Sequence, residues 1–213
     1  MKKLFLTTLI LFITVALFAQ SEKYTAAMKK NLEGLDSGMR NPASLLTVAN
    51  NFERIATAEK TQWLPYYYAA LAQINYAFMQ QDKDKMDGIA DKATALINSA
   101  DSLSPKNSEI SCLKSMVASC HLMVNPQQRW QEYGAESTSN IQAAMQQDTT
   151  NPRPYFLTGQ GLKYMPEQFG GGCKPAKAQL QIALDKYATF KPASDINPNW
   201  GKEYTQKLIA DCQ

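Results

Sequence analysis

Tyr164-Met165-Pro166-Glu167-Gln168-Phe169-Gly170-Gly171-Gly172-Cys173-Lys174-Pro175-Ala176 lies between two stretches whose apolar residues recur at helical spacing. Gly170, Gly171 and Gly172 permit a backbone course that a Cβ would resist. Pro175 suits the first turn of the following helix, where a missing N–H costs little. The stretch therefore reads as a sharp, defined joint between two helices. A positive φ at Gly171 would make Gly171→Val cost on the order of 1–3 kcal/mol.

Outward from this joint the pattern repeats. Apolar residues fall three and four apart, and no sustained alternation indicates a strand. The spacing predicts helices over roughly 22–34, from Asn41-Pro42 onward, and over 64–79, 84–102, 108–123, 127–147, 153–164, 174–190 and 200–212. Asn41-Pro42 joins a capping side chain to a proline that opens a helix, and Asn125-Pro126 breaks the chain before another. Ser104-Pro105-Lys106-Asn107 and the 148–152 stretch are further breaks.

Residues 1–19 read as a secretory signal: Lys2 and Lys3, an apolar run from Leu4 to Phe18, then Ala19 before an expected cut. The mature chain, 20–213, is then a single domain of about 194 residues, with no membrane span after cleavage. No cysteine stands near the cut to carry a lipid anchor. Without Lys2 and Lys3 the 22 basic residues fall to 20 against 19 acids, so nothing points to nucleic acid or an anionic membrane. The expected compartment is periplasmic or secreted.

Pro65, Glu109 and Pro154 stand near the openings of three of the helices, 44 and 45 residues apart. A pair of helices cannot bury its apolar faces alone, so neighbouring pairs must stack. The expected fold is all-α: a right-handed solenoid of helical hairpins with a C-terminal capping helix. Trp63 with Tyr67-Tyr68-Ala69, Asp148-Thr149-Thr150-Asn151-Pro152-Arg153-Pro154-Tyr155, and the Pro166…Gly170-Gly171…Ala176 joint resemble tetratricopeptide-type units. With Arg129-Trp130…Tyr133-Gly134 and Asn197-Pro198-Asn199-Trp200-Gly201, the chain resembles secreted tetratricopeptide-like proteins of the Bacteroidetes type. It is distantly similar to tetratricopeptide proteins that work beside periplasmic TRAP transporters.

Most constellations that could carry chemistry fail on spacing. His121 is the sole histidine. Cys112 and Cys120 lie two turns apart on one helix, on the order of 12 Å, too far to share a metal. The glycine run lacks the Lys-Ser/Thr of a phosphate loop. Asp82 to Ala93 lacks the glycine and terminal glutamate of a calcium loop. Glu132 and Glu136 share a polar, solvated face. No nucleophile–base pair is legible, so neither enzyme activity nor a cofactor is expected.

Four cysteines in an exported chain allow three complete pairings. Cys173 precedes one helix and Cys212 ends the last. A roughly seven-residue connection would fold helices of about 25 and 20 Å back on one another, bringing the two sulfurs together. Cys120–Cys173, or free thiols throughout, are the rivals. A 173–212 bond could add up to roughly 4 kcal/mol.

The leading functional reading is a non-catalytic module that binds a protein or peptide partner through a concave face. Trp63, Tyr66, Tyr67, Arg129, Trp130 and Arg153 are the candidate contacts. The alternative is an accessory protein of a transport system that binds a lipid or small apolar ligand, by analogy with the transporter-associated relatives.

Overall fold

Asparagine and proline set the helix starts. Asn41 Oδ1 accepts from the amide of Ala43 at 3.2 Å, and Pro42 opens the next helix. Asn107 and Asn125 do the same for Glu109 and Gln128, at 2.9 and 3.3 Å. Each satisfies an amide that the helix cannot. The structure is a computed structural model and describes residues 22–38 and 41–212. The signal segment lies outside the described residues.

Helix α1 covers residues 22–38. It is followed by α2 (Pro42–Ala58), α3 (Trp63–Phe78), α4 (Asp84–Leu103), α5 (Ser108–Val124), α6 (Pro126–Gln147), α7 (Arg153–Tyr164), α8 (Cys173–Thr189) and α9 (Lys202–Ala210). A 3-10 turn, Glu167–Phe169, stands between α7 and α8. There is no strand among the described residues.

From α2 to α9 each helix packs on the next. Contacts beyond sequence neighbours run through the odd-numbered members, α3 on α5, α5 on α7 and α7 on α9. The core is densest at α3, where Leu64, Tyr67, Tyr68, Leu71 and Ile74 are all buried. Part of its cover comes from the far end of the chain. The connection between α8 and α9 returns to α3, where Tyr68 Oη donates to the Ile196 carbonyl at 2.9 Å and Trp200 Nε1 donates to Tyr67 Oη at 2.7 Å.

Helix α6 is attached differently. Of its residues only Ala144 is buried. It is held to α5 by a polar seam: Ser108 Oγ to the Ala144 carbonyl at 2.8 Å, Ser111 to Gln147 at 2.7 Å, and Ser115 to Ser137 at 2.8 Å.

At the glycine joint the left-handed positions are Gly170 (φ 84°) and Gly172 (φ 96°), not Gly171. Gly171 is required for another reason: a Cβ there would fall on the backbone carbonyl of Met165. The turn closes with amides of Gly171 and Gly172 donating to the carbonyls of Pro166 at 3.2 Å and Leu162 at 2.9 Å. Because backbone must move to admit the methyl, Gly171→Ala should cost about 1–3 kcal/mol. A lowered urea midpoint is the expected result, and an unchanged one would show that the joint yields freely.

Candidate functional site

The joint does more than turn the chain. It places Tyr164, Met165 and Phe169 in solvent, at 65, 42 and 69% exposure. Scattered exposed apolar residues are ordinary, but these three stand on one ordered turn and make up an apolar patch at its surface. Tyr164 is the last residue of α7, Met165 leaves the helix in extended conformation, and Phe169 ends the 3-10 turn.

Helix α9 supplies the fourth member. Tyr204, 40% exposed, brings its hydroxyl to 3.3 Å from that of Tyr164. Its ring meets Phe156 edge-on at 6.1 Å, and Phe156 meets Trp200 the same way at 6.1 Å. The patch is thus the outer end of an aromatic chain rooted in the core at Tyr67. The bond with Tyr204, then partial burial, push the Tyr164 phenol up to about 12. At neutral pH it therefore offers a ligand a ring face and a neutral hydroxyl.

Two attachments hold the C-terminal end of α9 beside this joint. Lys163 Nζ donates to the Leu208 carbonyl and to Asp211, each at 3.3 Å, which places a cation at the helix C-terminus. Cys173 and Cys212 form a disulfide, with Cα atoms 5.3 Å apart. This is the pairing expected from the topology. Cys112 and Cys120 stay buried as thiols, and burial pushes the Cys120 thiol up to about 12.

The residues singled out in the sequence are scattered and mostly engaged within the chain. Arg153 and Tyr67 are fully buried, so neither presents a surface. Arg153 Nη1 donates to Glu109 at 2.8 Å, and Tyr67 Oη donates to the same carboxylate at 3.2 Å. Trp63 packs edge-on against Tyr67, and Tyr66 is half-buried against the core. Arg129 donates to Asp87 at 2.7 Å and to the His121 carbonyl at 3.1 Å. That bond holds the Asp87 carboxyl below its usual range. Trp130 alone of the six stands well out, at 61% exposure.

His121 bonds to Asp87 at 2.8 Å and stacks on Tyr133 at 4.9 Å, so it is already engaged. No group of three His, Cys, Asp or Glu residues is placed to hold a metal ion among the described residues. None of the described helices is long and apolar enough to cross a membrane. A cavity of about 270 Å³ beside Thr25, Ser194, Asp195 and Ile196 falls below the ordinary range for a ligand of drug size.

Sequence reasoning named the glycines of the joint and missed Tyr164, Met165, Phe169 and Tyr204. The available signal was the large apolar residues flanking a glycine turn, where polar ones are the norm.

No family model matches the sequence, and no curated protein matches it. Among solved structures, the chain is similar to the HusA haemophore from Porphyromonas gingivalis. The two are 37% identical, the match covers 89% of this chain and 92% of that one, and the TM-score is 0.79.

Proposed function

The chain belongs to the HusA haemophore family, and from that premise we propose that it is a secreted, non-catalytic carrier that binds haem on the surface made by Tyr164, Met165, Phe169 and Tyr204. Family membership carries the choice of ligand. The exposed aromatic patch carries the choice of place. Of the two functional readings of the sequence, this favours the small ligand over a protein or peptide partner.

Haem needs a flat apolar contact for its macrocycle and polar company for its two propionates. Aromatic rings supply the first by stacking, worth about 0.5–1.5 kcal/mol each beyond the area they bury. Lys207 follows Tyr204 by three residues, on the same face of α9, and is exposed. It offers a cation to a propionate. The disulfide agrees with an oxidising compartment outside the cytoplasm. The contacts among α3, α5, α7 and α9 support the tetratricopeptide-like stack expected from the repeat, with these helices as one layer.

Absorbance titration in the Soret region tests the reading. Burying one large ring contributes about 1.5–3 kcal/mol. Tyr164→Ala and Phe169→Ala should therefore each weaken haem binding about tenfold or more. Trp130→Ala should bind as the parent does. If Trp130→Ala abolishes binding and the other two leave it intact, the site lies on α6 instead.

A further inference from the structure

We propose that Met165 is the oxidisable residue of the haem surface, and that hydrogen peroxide, by converting its thioether to the sulfoxide, lowers the affinity of that surface for haem. The inference rests on the haem reading above and adds a modification that tunes it.

Of Tyr164, Met165, Phe169 and Tyr204, only Met165 carries sulfur. The residue is 42% exposed, with Tyr164 beside it and Phe169 four residues on, both more exposed still. Its Cβ stands against Gly171, so the exposed part is the outer end of the side chain, which holds the thioether.

The other sulfurs are shielded or already spent. Met28, Met86 and Met116 are buried, and Met79 and Met145 are half-buried. Cys173 and Cys212 are joined to each other. Cys112 and Cys120 are buried, and burial pushes both thiols up, away from the reactive thiolate. Among the described residues Met123, on α5, matches Met165 in exposure, at 41%.

The backbone under Met165 is held. Its amide donates to the Gly161 carbonyl at 3.0 Å, and the amides of Gly171 and Gly172 close the turn on Pro166 and Leu162. An oxygen added to the outer sulfur meets solvent rather than this packing, so the turn keeps its fold. What changes is the surface offered to the ligand.

The sulfur lone pair attacks one peroxide oxygen. An S–O bond forms, the O–O bond breaks, and the proton on the transferred oxygen leaves with the departing hydroxide as water. Sulfur loses two electrons and the peroxide gains them. The product replaces a flexible apolar side chain with a polar one. Haem seated there would strip water from the new oxygen, a cost that the thioether does not carry. Dedicated reductases return the sulfoxide to the thioether, so the modification is reversible.

The test treats the exported chain with hydrogen peroxide, removes the peroxide, and then titrates haem in the Soret region. Peptide mass mapping should find an added oxygen on Met165 and Met123 before it appears on Met28, Met86 or Met116. Haem affinity should fall about tenfold on treatment. In Met123→Leu it should fall as far. In Met165→Leu the affinity should be the same before and after treatment, whatever its starting value. Amide exchange in α7 and α8 should not change. An equal fall in Met165→Leu overturns the inference, as does oxidation of Met165 no faster than Met28, or lost protection in α7 and α8. If treated and untreated parent chains bind haem alike, the inference falls and the haem reading stands. If the untreated chain binds no haem, the haem reading fails first and the inference falls with it.

Discussion

Arg153→Met should lower stability by about 3–5 kcal/mol at neutral pH, read as the midpoint of urea unfolding. The side chain is fully buried. Its guanidinium reaches Glu109 at 2.8 Å and lies over the rings of Phe190 and Trp200, 5.0 and 5.2 Å from their centres. Nε and Nη2 have no hydrogen-bond acceptor. Their company is the faces of these two rings, which attract a cation. Removing the cation leaves the Glu109 carboxylate buried without its counter-charge.

The deficit should depend on pH. Burial already pushes the Glu109 carboxyl up, against the pull of Arg153 and the hydrogen bond from Tyr67. Without Arg153 it rises further. A carboxyl whose folded value is raised adds stability while protonated and loses it as pH climbs through that value. The variant's deficit should therefore shrink between pH 7 and pH 5. An equal deficit at both values would mean that Glu109 is not the group left stranded.

Trp200→Ala should cost a similar amount, about 3–5 kcal/mol. It removes the donor to Tyr67 at 2.7 Å, the edge contact with Phe156 and one of the two faces on Arg153. Because the two residues share partners, Arg153→Met and Trp200→Ala together should cost less than their sum, by about 0.5–3 kcal/mol. A double-mutant cycle in urea measures this. Strict additivity would contradict the shared network.

Helix starts were legible because their causes are local. Asn41-Pro42 caps and opens a helix within two residues, and α2 begins at the expected proline. The disulfide was legible because the length and direction of the last two helices fix where their ends meet. Arg153 was not legible. In sequence it reads as a candidate contact on a concave face. Its burial depends on Glu109, 44 residues before it, and on rings 37 and 47 residues after it.

Tyr67, a candidate contact in the sequence, is buried for a related reason. Consecutive helical positions sweep about 200°, which argues that they cannot all face one core. Helix α3 is enclosed by α2, α4, α5 and the α8–α9 connection, so Tyr67 and Tyr68 are both buried. The candidate site lay within the stretch that organises the fold. Glycine chemistry announces a turn, but nothing local says that the turn will hold its aromatic neighbours in solvent, or that α9 will bring Tyr204 to them.

The most direct test of the haem site is an amide correlation spectrum of the labelled exported chain, recorded as ferric haem is added. The paramagnetic iron broadens the amides nearest to it. Broadening should be confined to 163–172 and to α9 around Tyr204, with α2 to α4 unchanged. Broadening centred on Met123 and Trp130, with the glycine joint sharp, would contradict the account.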